Sequence, residues 1–252
     1  MKRWADVLLL VSAAFVWQVL CWLEVIPPYK IPSPLEVLDA LRMLIFKGLP
    51  PGYLLHRHAL ESLMRVFSGF GIAMVLAIPL GILMGWSRIL RRMVTPFMEI
   101  LRPIPPLAWI PIAILWLGIG LKSAAFIIFL GAFFPILLNT ISGVLSIDVR
   151  LFELAMVHGA RPKDVLLKIC TPGSLPFVFT GMRIGLGVGW MTLVAAEFTG
   201  VKSGYGLGYL IMIARDIQRP DAIVAGMIVI GLVGYLIDLI LRKTQKKLLI
   251  WM

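Results

Sequence analysis

The residues of this chain that could do chemistry are few and far apart. Arg183 stands alone inside an apolar run, Glu99 and Arg102 sit one helical turn apart, Glu197 ends another apolar run, and His56 and His58 flank Arg57. None of these sets has the spacing of a catalytic or metal site. The apolar runs contain no Ser/His pair, no paired aspartates and no H-E-x-x-H, and no G-x-x-x-x-G-K-[ST] loop is present to cradle nucleotide phosphates. Gly185-x-Gly187 does not follow a strand and is not a phosphate loop. Cys21 and Cys170 each lack a second cysteine nearby, so they form no metal or redox motif. Their expected positions near opposite faces of a membrane exclude a disulfide by reach. The expectation is therefore no catalytic residue, no metal and no cofactor held by this chain. The chemistry left is electrostatic. A buried cation such as Arg183 is costly against lipid, and it either faces a water-filled path where it attracts an anion, snorkels to the boundary, or pairs with a carboxylate such as Glu99. Arg102 and Glu99 are expected to form an i,i+3 pair. Glu197 reads as interfacial, and the two histidines as surface residues near the lipid headgroups.

The elements that must position these residues follow from composition. Of 252 residues, 60% are hydrophobic and only 15% are charged, against about 45–50% and about 25% in soluble domains. The fold class is therefore all-α and polytopic, with about six spans of about 20 apolar residues each. They fall near Trp4–Leu23, Ser62–Trp86, Val94–Leu117, Ala124–Leu145, Leu175–Ala196 and Ile223–Leu241. The first run is too long for a signal h-region and lacks a small-x-small cleavage site after it, so it is expected to stay as a membrane helix. The net charge of +11 is spread in short runs between the apolar segments, which speaks against nucleic acid and for a lipid bilayer. Lys2 and Arg3, Arg88, Arg91 and Arg92, Arg150 to Lys168, and Arg242 to Lys247 all fall on one face of an up-down path. That face is the cytoplasmic one by the positive-inside rule, and both termini lie on it. The Ser33 and Lys202 connections are external.

Outside the spans, Pro34–Phe46 alternates apolar and charged residues as a surface-lying amphipathic helix does. Within them, Pro103, Pro105, Pro106 and Pro111 remove backbone donors and predict a bent or unwound stretch lining a cavity, with Arg102, Pro105 and Trp109 beside the path. Gly181, Gly185 and Gly189 recur every four residues as a packing seam.

The stretch 146–176 is too polar to span, yet it carries apolar residues at helical spacing. Leu151, Leu154, Ala155 and His158 share one face, and Val165, Leu166 and Ile169 another. Gly159 permits a sharp turn between two short helices, Pro162 suits the first turn of the second, and Pro172 is expected to stop it. An apolar face held outside the membrane needs a partner.

Glu153-Leu154-Ala155, Gly159-Ala160, Ile169 and Pro172 resemble the EAA–G–LP motif of ABC importer permeases, with Leu154 in place of an alanine and Thr171 in place of the usual leucine. Leu101 to Pro111, Leu130 to Pro135, Phe179 to Gly185 and Ile31-Pro32-Ser33-Pro34 are similar to the nitrate/sulfonate/taurine/bicarbonate branch of that family, so the likeness covers nearly the whole chain. The resemblance implies a type I importer transmembrane domain over residues 1–252, with its core over about 60–245. It implies a coupling segment whose contacts with an ABC ATPase subunit are Glu153, Leu154, Ala155, His158, Gly159, Ala160 and Arg161. It further implies a second copy of the chain, an extracytoplasmic substrate-binding protein, and ATP and Mg on the ATPase partner alone. The cargo it implies is a small anion such as a sulfonate, nitrate or bicarbonate, or else a vitamin precursor or other heterocycle. An ATP-independent secondary transporter would instead carry carboxylates within its spans or inverted repeats, and neither is evident.

Overall fold

Serine, glutamate and proline set the first turn in the N-terminal part of the chain. The computed structural model describes residues 2–23, 25, 27, 30–198 and 203–249, and the regular elements among them are helices, with no strand. By their contacts they divide into two units, 1–62 with 200–233 and 63–199 with 234–252.

In the first unit, α1 (Lys2–Trp22) precedes α2 (Pro34–Phe46), which a capping box starts. Ser33 Oγ accepts from the Glu36 N–H, the Ser33 N–H donates to Glu36 Oε2 at 2.7 Å, and Pro34 starts the helix, so three local choices agree on one start. Gln18 of α1 adds a long-range bond, its Oε1 accepting from the Leu35 N–H at 3.2 Å. One face of α2 buries Val37, Ala40 and Leu44, while Leu35, Leu38 and Ile45 are exposed, the pattern expected of a helix lying between protein and lipid. α10 (Leu207–Asp216) is capped from a distance. Its N-terminal Gly206 N–H donates to His58 Nδ1 at 3.0 Å and the Leu207 N–H donates to Ser62 Oγ at 2.9 Å. His58 is therefore not a headgroup residue: it is 0% exposed, while His56 is exposed as expected. The expected external Lys202 lies outside the described residues.

The second unit is built on α6 (Leu121–Leu145) and α9 (Thr171–Phe198). The glycine stripe of α9 lies against α6: a Cβ at Gly181 would stand 2.8 Å from Asn139 Cβ, and one at Gly185 2.9 Å from the Ala132 carbonyl oxygen. Backbones that close are possible only where no side chain intervenes. α3 (Leu55–Trp86) begins earlier than Ser62, and the last carbonyls of Met84 and Gly85 accept from Arg91 of α4 (Arg88–Leu101), a cation at a helix C-terminus. The expected third span is not one helix. α4 ends at Leu101, a 3₁₀ turn covers Pro106–Trp109, α5 follows over Ile110–Leu117, and the two arms meet at 80°. Three prolines at 103, 105 and 106 deny the ladder its donors. Among the described residues four helices are long and apolar enough to cross a bilayer, or up to five if the bent pair is one span, and α1 contributes the shorter apolar stretch Val11–Trp22.

α7 (Val149–Val157), α8 (Pro162–Val165) and a π turn over Leu166–Cys170 lead into α9, and α11 (Pro220–Leu248) closes the described chain. Pro172 does not stop the second short helix. The helix runs on from Pro162 to Phe198, because the π turn shifts the bonding by one residue: the Thr171 N–H and its hydroxyl both reach the Leu166 carbonyl. The ladder thus passes a residue that has no N–H to offer.

Candidate functional site

Two places in the second unit carry the residues singled out from the sequence. The first is the turn between α7 and α8. Asp148 caps α7 by accepting from the Arg150 N–H at 2.9 Å. At the other end the Gly159 N–H bonds the Met156 carbonyl and the Ala160 N–H bonds the Ala155 carbonyl, both at 3.0 Å. That is the paired closure of a helix ending in a left-handed residue, and Gly159 supplies it with φ +74. Arg161 then takes extended backbone and Pro162 opens α8.

This geometry sorts the seven predicted contact residues. Ala155 and Ala160 turn inward, with Phe152, onto a cluster of Ile82, Val144, Val165 and Cys170, and Phe152 also meets Trp86 at 5.9 Å between ring centroids. Glu153, Leu154, His158, Gly159 and Arg161 are exposed, with His158 Nδ1 2.8 Å from the Leu154 carbonyl. Met156 and Val157 join them, Val157 at 82% exposure. The sequence reading missed Phe152 as the anchor and Met156 and Val157 as part of the outward ridge. The i,i+3 pair Phe152–Ala155 was the available signal, since it fixes which side of α7 faces in. Lys168 holds the segment's second helix by a 2.9 Å ion pair to Asp164, and that hydrogen bond holds the Asp164 carboxyl below the usual carboxylate range.

The second place is a cavity of about 420 Å³ at the α4–α5 break, between that break, α6 and α9. Arg102 and Trp109 line it, as do Phe126, Leu130, Phe134 and Asn139. Pro105 caps the 3₁₀ turn beside it. Arg102 makes no ion pair with Glu99 among the described residues. Arg183 is not among the lining residues: its Nε donates to Asp238 at 3.1 Å, and Asp238 is also bonded by Arg242. The partner of Arg183 is thus on α11 and not Glu99. Glu197 is not interfacial either. It is 0% exposed and accepts from Arg65 at 2.8 Å, itself 3% exposed. Among the described residues no group of three metal-ligating side chains comes together.

Comparisons with known proteins bear on the chain as a whole. Residues 77–248 match the family model of binding-protein-dependent transport system inner membrane components. The chain belongs to this family. It is 44% identical over 239 residues to a protein of Methanocaldococcus jannaschii named as an ABC transporter permease, covering 95% of this chain and 88% of that one. It is 37% identical over 239 residues to the taurine transport system permease protein of Escherichia coli, covering 94% and 85%. Among solved structures it resembles the MetNI methionine ABC transporter, with a TM-score of 0.58 and 27% identity over 77% of this chain and 97% of that one. The permease is thus the membrane-embedded subunit of an ABC importer, and its work is transport.

Proposed function

We propose that the permease couples ATP hydrolysis on a partner subunit to inward movement of a small anion, with the α7–α8 turn as the coupling element. The observation that carries this is the exposed ridge of Leu154, Met156 and Val157 on a helix whose other face, Phe152 and Ala155, is fixed to the permease's own core. A ridge fixed from behind transmits a push. Glu153, His158 and Arg161 flank it as polar contacts, and Ala155, Gly159 and Ala160 set its angle. Nucleotide binding would close two ATPase subunits, displace two such turns and bias the bundle between inward and outward access, a two-state device of a familiar kind. ATP and Mg stay on the ATPase. The whole chain acts as one transmembrane domain facing a second copy, with both termini cytoplasmic and a binding protein delivering cargo outside.

Arg102, Pro105 and Trp109 form part of the path, because they stand at the broken helix where backbone and cavity meet. Arg183 serves instead to tie α9 to α11. The taurine relative supports a sulfonate-like cargo.

Gly159 tests the reading. A Cβ there would touch nothing within 4 Å, so a substitution acts through the backbone alone. Gly159→Val should lose the ATPase subunit on co-purification and uncouple its hydrolysis, because a β-branched residue resists φ > 0. Gly159→Asn should keep both, since asparagine tolerates that region. Equal retention and equal coupled hydrolysis in the valine variant would sink the proposal.

A further inference from the structure

The crevice where α9 meets α11 holds more positive charge than it neutralises. The two helices run antiparallel there. A Cβ at Gly234 would stand 2.9 Å from Trp190 Nε1, and one turn further along α11 Asp238 Oδ1 accepts from Arg183 Nε at 3.1 Å. Arg242 donates to the other oxygen of that carboxylate at 2.7 Å. Two guanidinium groups thus share one carboxylate, and Arg183, Arg242 and Asp238 remain 36%, 54% and 30% exposed. Arg183 bonds through Nε alone, which leaves its two terminal nitrogens as donors. Asp238 is the one acidic residue in the sequence from Ala222 to Met252, against Arg242, Lys243, Lys246 and Lys247. The three lysines are exposed and enter no ion pair among the described residues. Tyr235, Asp238, Arg242 and Lys246 recur at helical spacing and share one face of α11. Beside them Leu236 and Ile240 are exposed, and α11 is the least buried of the four membrane-length helices.

We propose that this crevice seats the headgroup of an anionic phospholipid. The phosphodiester is held by the nitrogens of Arg183 and Arg242 that Asp238 does not use, with Lys246 one turn further on, and an acyl chain runs along Leu236 and Ile240. A phosphodiester has two free oxygens, which a guanidinium fork meets in pairs. Basic pockets between membrane helices at the headgroup layer suit such lipids. A zwitterionic headgroup fits less well, because its ammonium would be set among like charges. A second copy of the chain is disfavoured on this face, since a twofold contact would set the same cations against each other. The crevice is also distinct from the cavity at the α4–α5 break, to which α9 turns Ile184 and Val188 and not Arg183. The ion pair that ties α9 to α11 is thus also a lipid seat.

The test is native mass spectrometry of the full-length permease, released from dodecyl maltoside micelles that hold equal amounts of dioleoylphosphatidylglycerol and dioleoylphosphatidylcholine. The two lipids share their acyl chains, so the headgroup alone decides between them. One phosphatidylglycerol per chain is expected to stay bound, preferred over phosphatidylcholine by about tenfold or more, because each Lys or Arg near an anionic headgroup contributes a factor of about five. Arg183→Gln and Arg242→Gln should each lower that preference about fivefold, and Arg242→Lys should keep most of it. Lys246→Gln should lower it as well, and since Lys246 is exposed this variant keeps the test open if an arginine variant fails to fold. Lys122→Gln, the same charge change at an exposed position near the start of α6, should leave the preference unchanged. Equal retention of the two lipids, or equal losses in Lys122→Gln and the crevice variants, would overturn the proposal. So would displacement of the lipid by an equimolar amount of inorganic phosphate, the mark of a free-anion site. Retention on monomers and not on dimers would also overturn it, because a second copy would then cover this face.

Discussion

Glu197 and Arg65 form a fully enclosed ion pair at 2.8 Å, 0% and 3% exposed, in a chain with few intramembrane charges. Removing one member of such a pair leaves the other without a charge it was folded against, which typically costs 3–5 kcal/mol or so, far more than a surface pair contributes. Glu197→Ala is therefore expected to lower thermal stability in detergent by on the order of 3 kcal/mol, and Arg65→Met combined with Glu197→Leu to recover much of that. A melting curve of the alanine variant that overlays the wild type would refute this. At this scale the sequence reveals which residues are unusual but not whom they meet. Arg183 was legible as a cation inside an apolar run, yet it is about a third exposed and its partner Asp238 is 55 residues away. His58 read as a surface residue because its bond to Gly206 spans 148 residues, and no local pattern encodes such a distance. Gly159 was legible in full, since a helix terminated by a left-handed residue is a local event.

Helices of the second unit meet where side chains are missing, and this gives a controlled comparison within one element. A Cβ on Gly185 would stand 2.9 Å from the Ala132 carbonyl oxygen and 3.3 Å from Ala132 Cα, backbone atoms that cannot rotate away, whereas one on Gly187 would meet nothing within 4 Å. Gly185→Ala is expected to destabilise the permease by about 1–3 kcal/mol through overpacking. Gly187→Ala should be neutral or slightly stabilising, because alanine is the better helix former. Paired thermal melts read the contrast, and equal melting of the two variants would mean that the α6–α9 seam is looser than drawn. The four-residue period of the stripe announced this seam; the identity of α6 as its other side was not announced. The same limit explains the two helix boundaries that differ from expectation. Proline is a local rule-breaker, and at 103, 105 and 106 it breaks the span as its chemistry demands. At Pro172 the rule is overridden, because a π turn and the Thr171 hydroxyl satisfy the Leu166 carbonyl in another way.

Across the whole chain, orientation is the property on which the coupling role depends, and it rests on where basic residues fall between helices. The charge argument requires that successive spans alternate in direction. α3 and α4 are joined through Ser87 alone, which places Arg88, Arg91 and Arg92 at one end of both. α6 and α9 are joined by the α7–α8 turn with Arg150, Arg161, Lys163 and Lys168. If each span reverses the chain, these two basic groups are expected on the same face as the last turns of α11, where Lys246 and Lys247 sit. The connection carrying α2 is then expected on the opposite face. Short basic connections resist export, and the ridge of Leu154, Met156 and Val157 can meet an ATPase only if that face is cytoplasmic. In a background where Cys21, half-buried, and Cys170, buried, are replaced by serine and alanine, a membrane-impermeant maleimide added to intact cells should label Lys47→Cys, exposed at the end of α2. It should not label Arg161→Cys until the cells are opened. Labelling of Arg161→Cys in intact cells would invert the map and with it the coupling role of the turn. Protection of both positions would instead mean that α2 is covered from outside, and repeating the labelling without the binding protein would then expose Lys47→Cys.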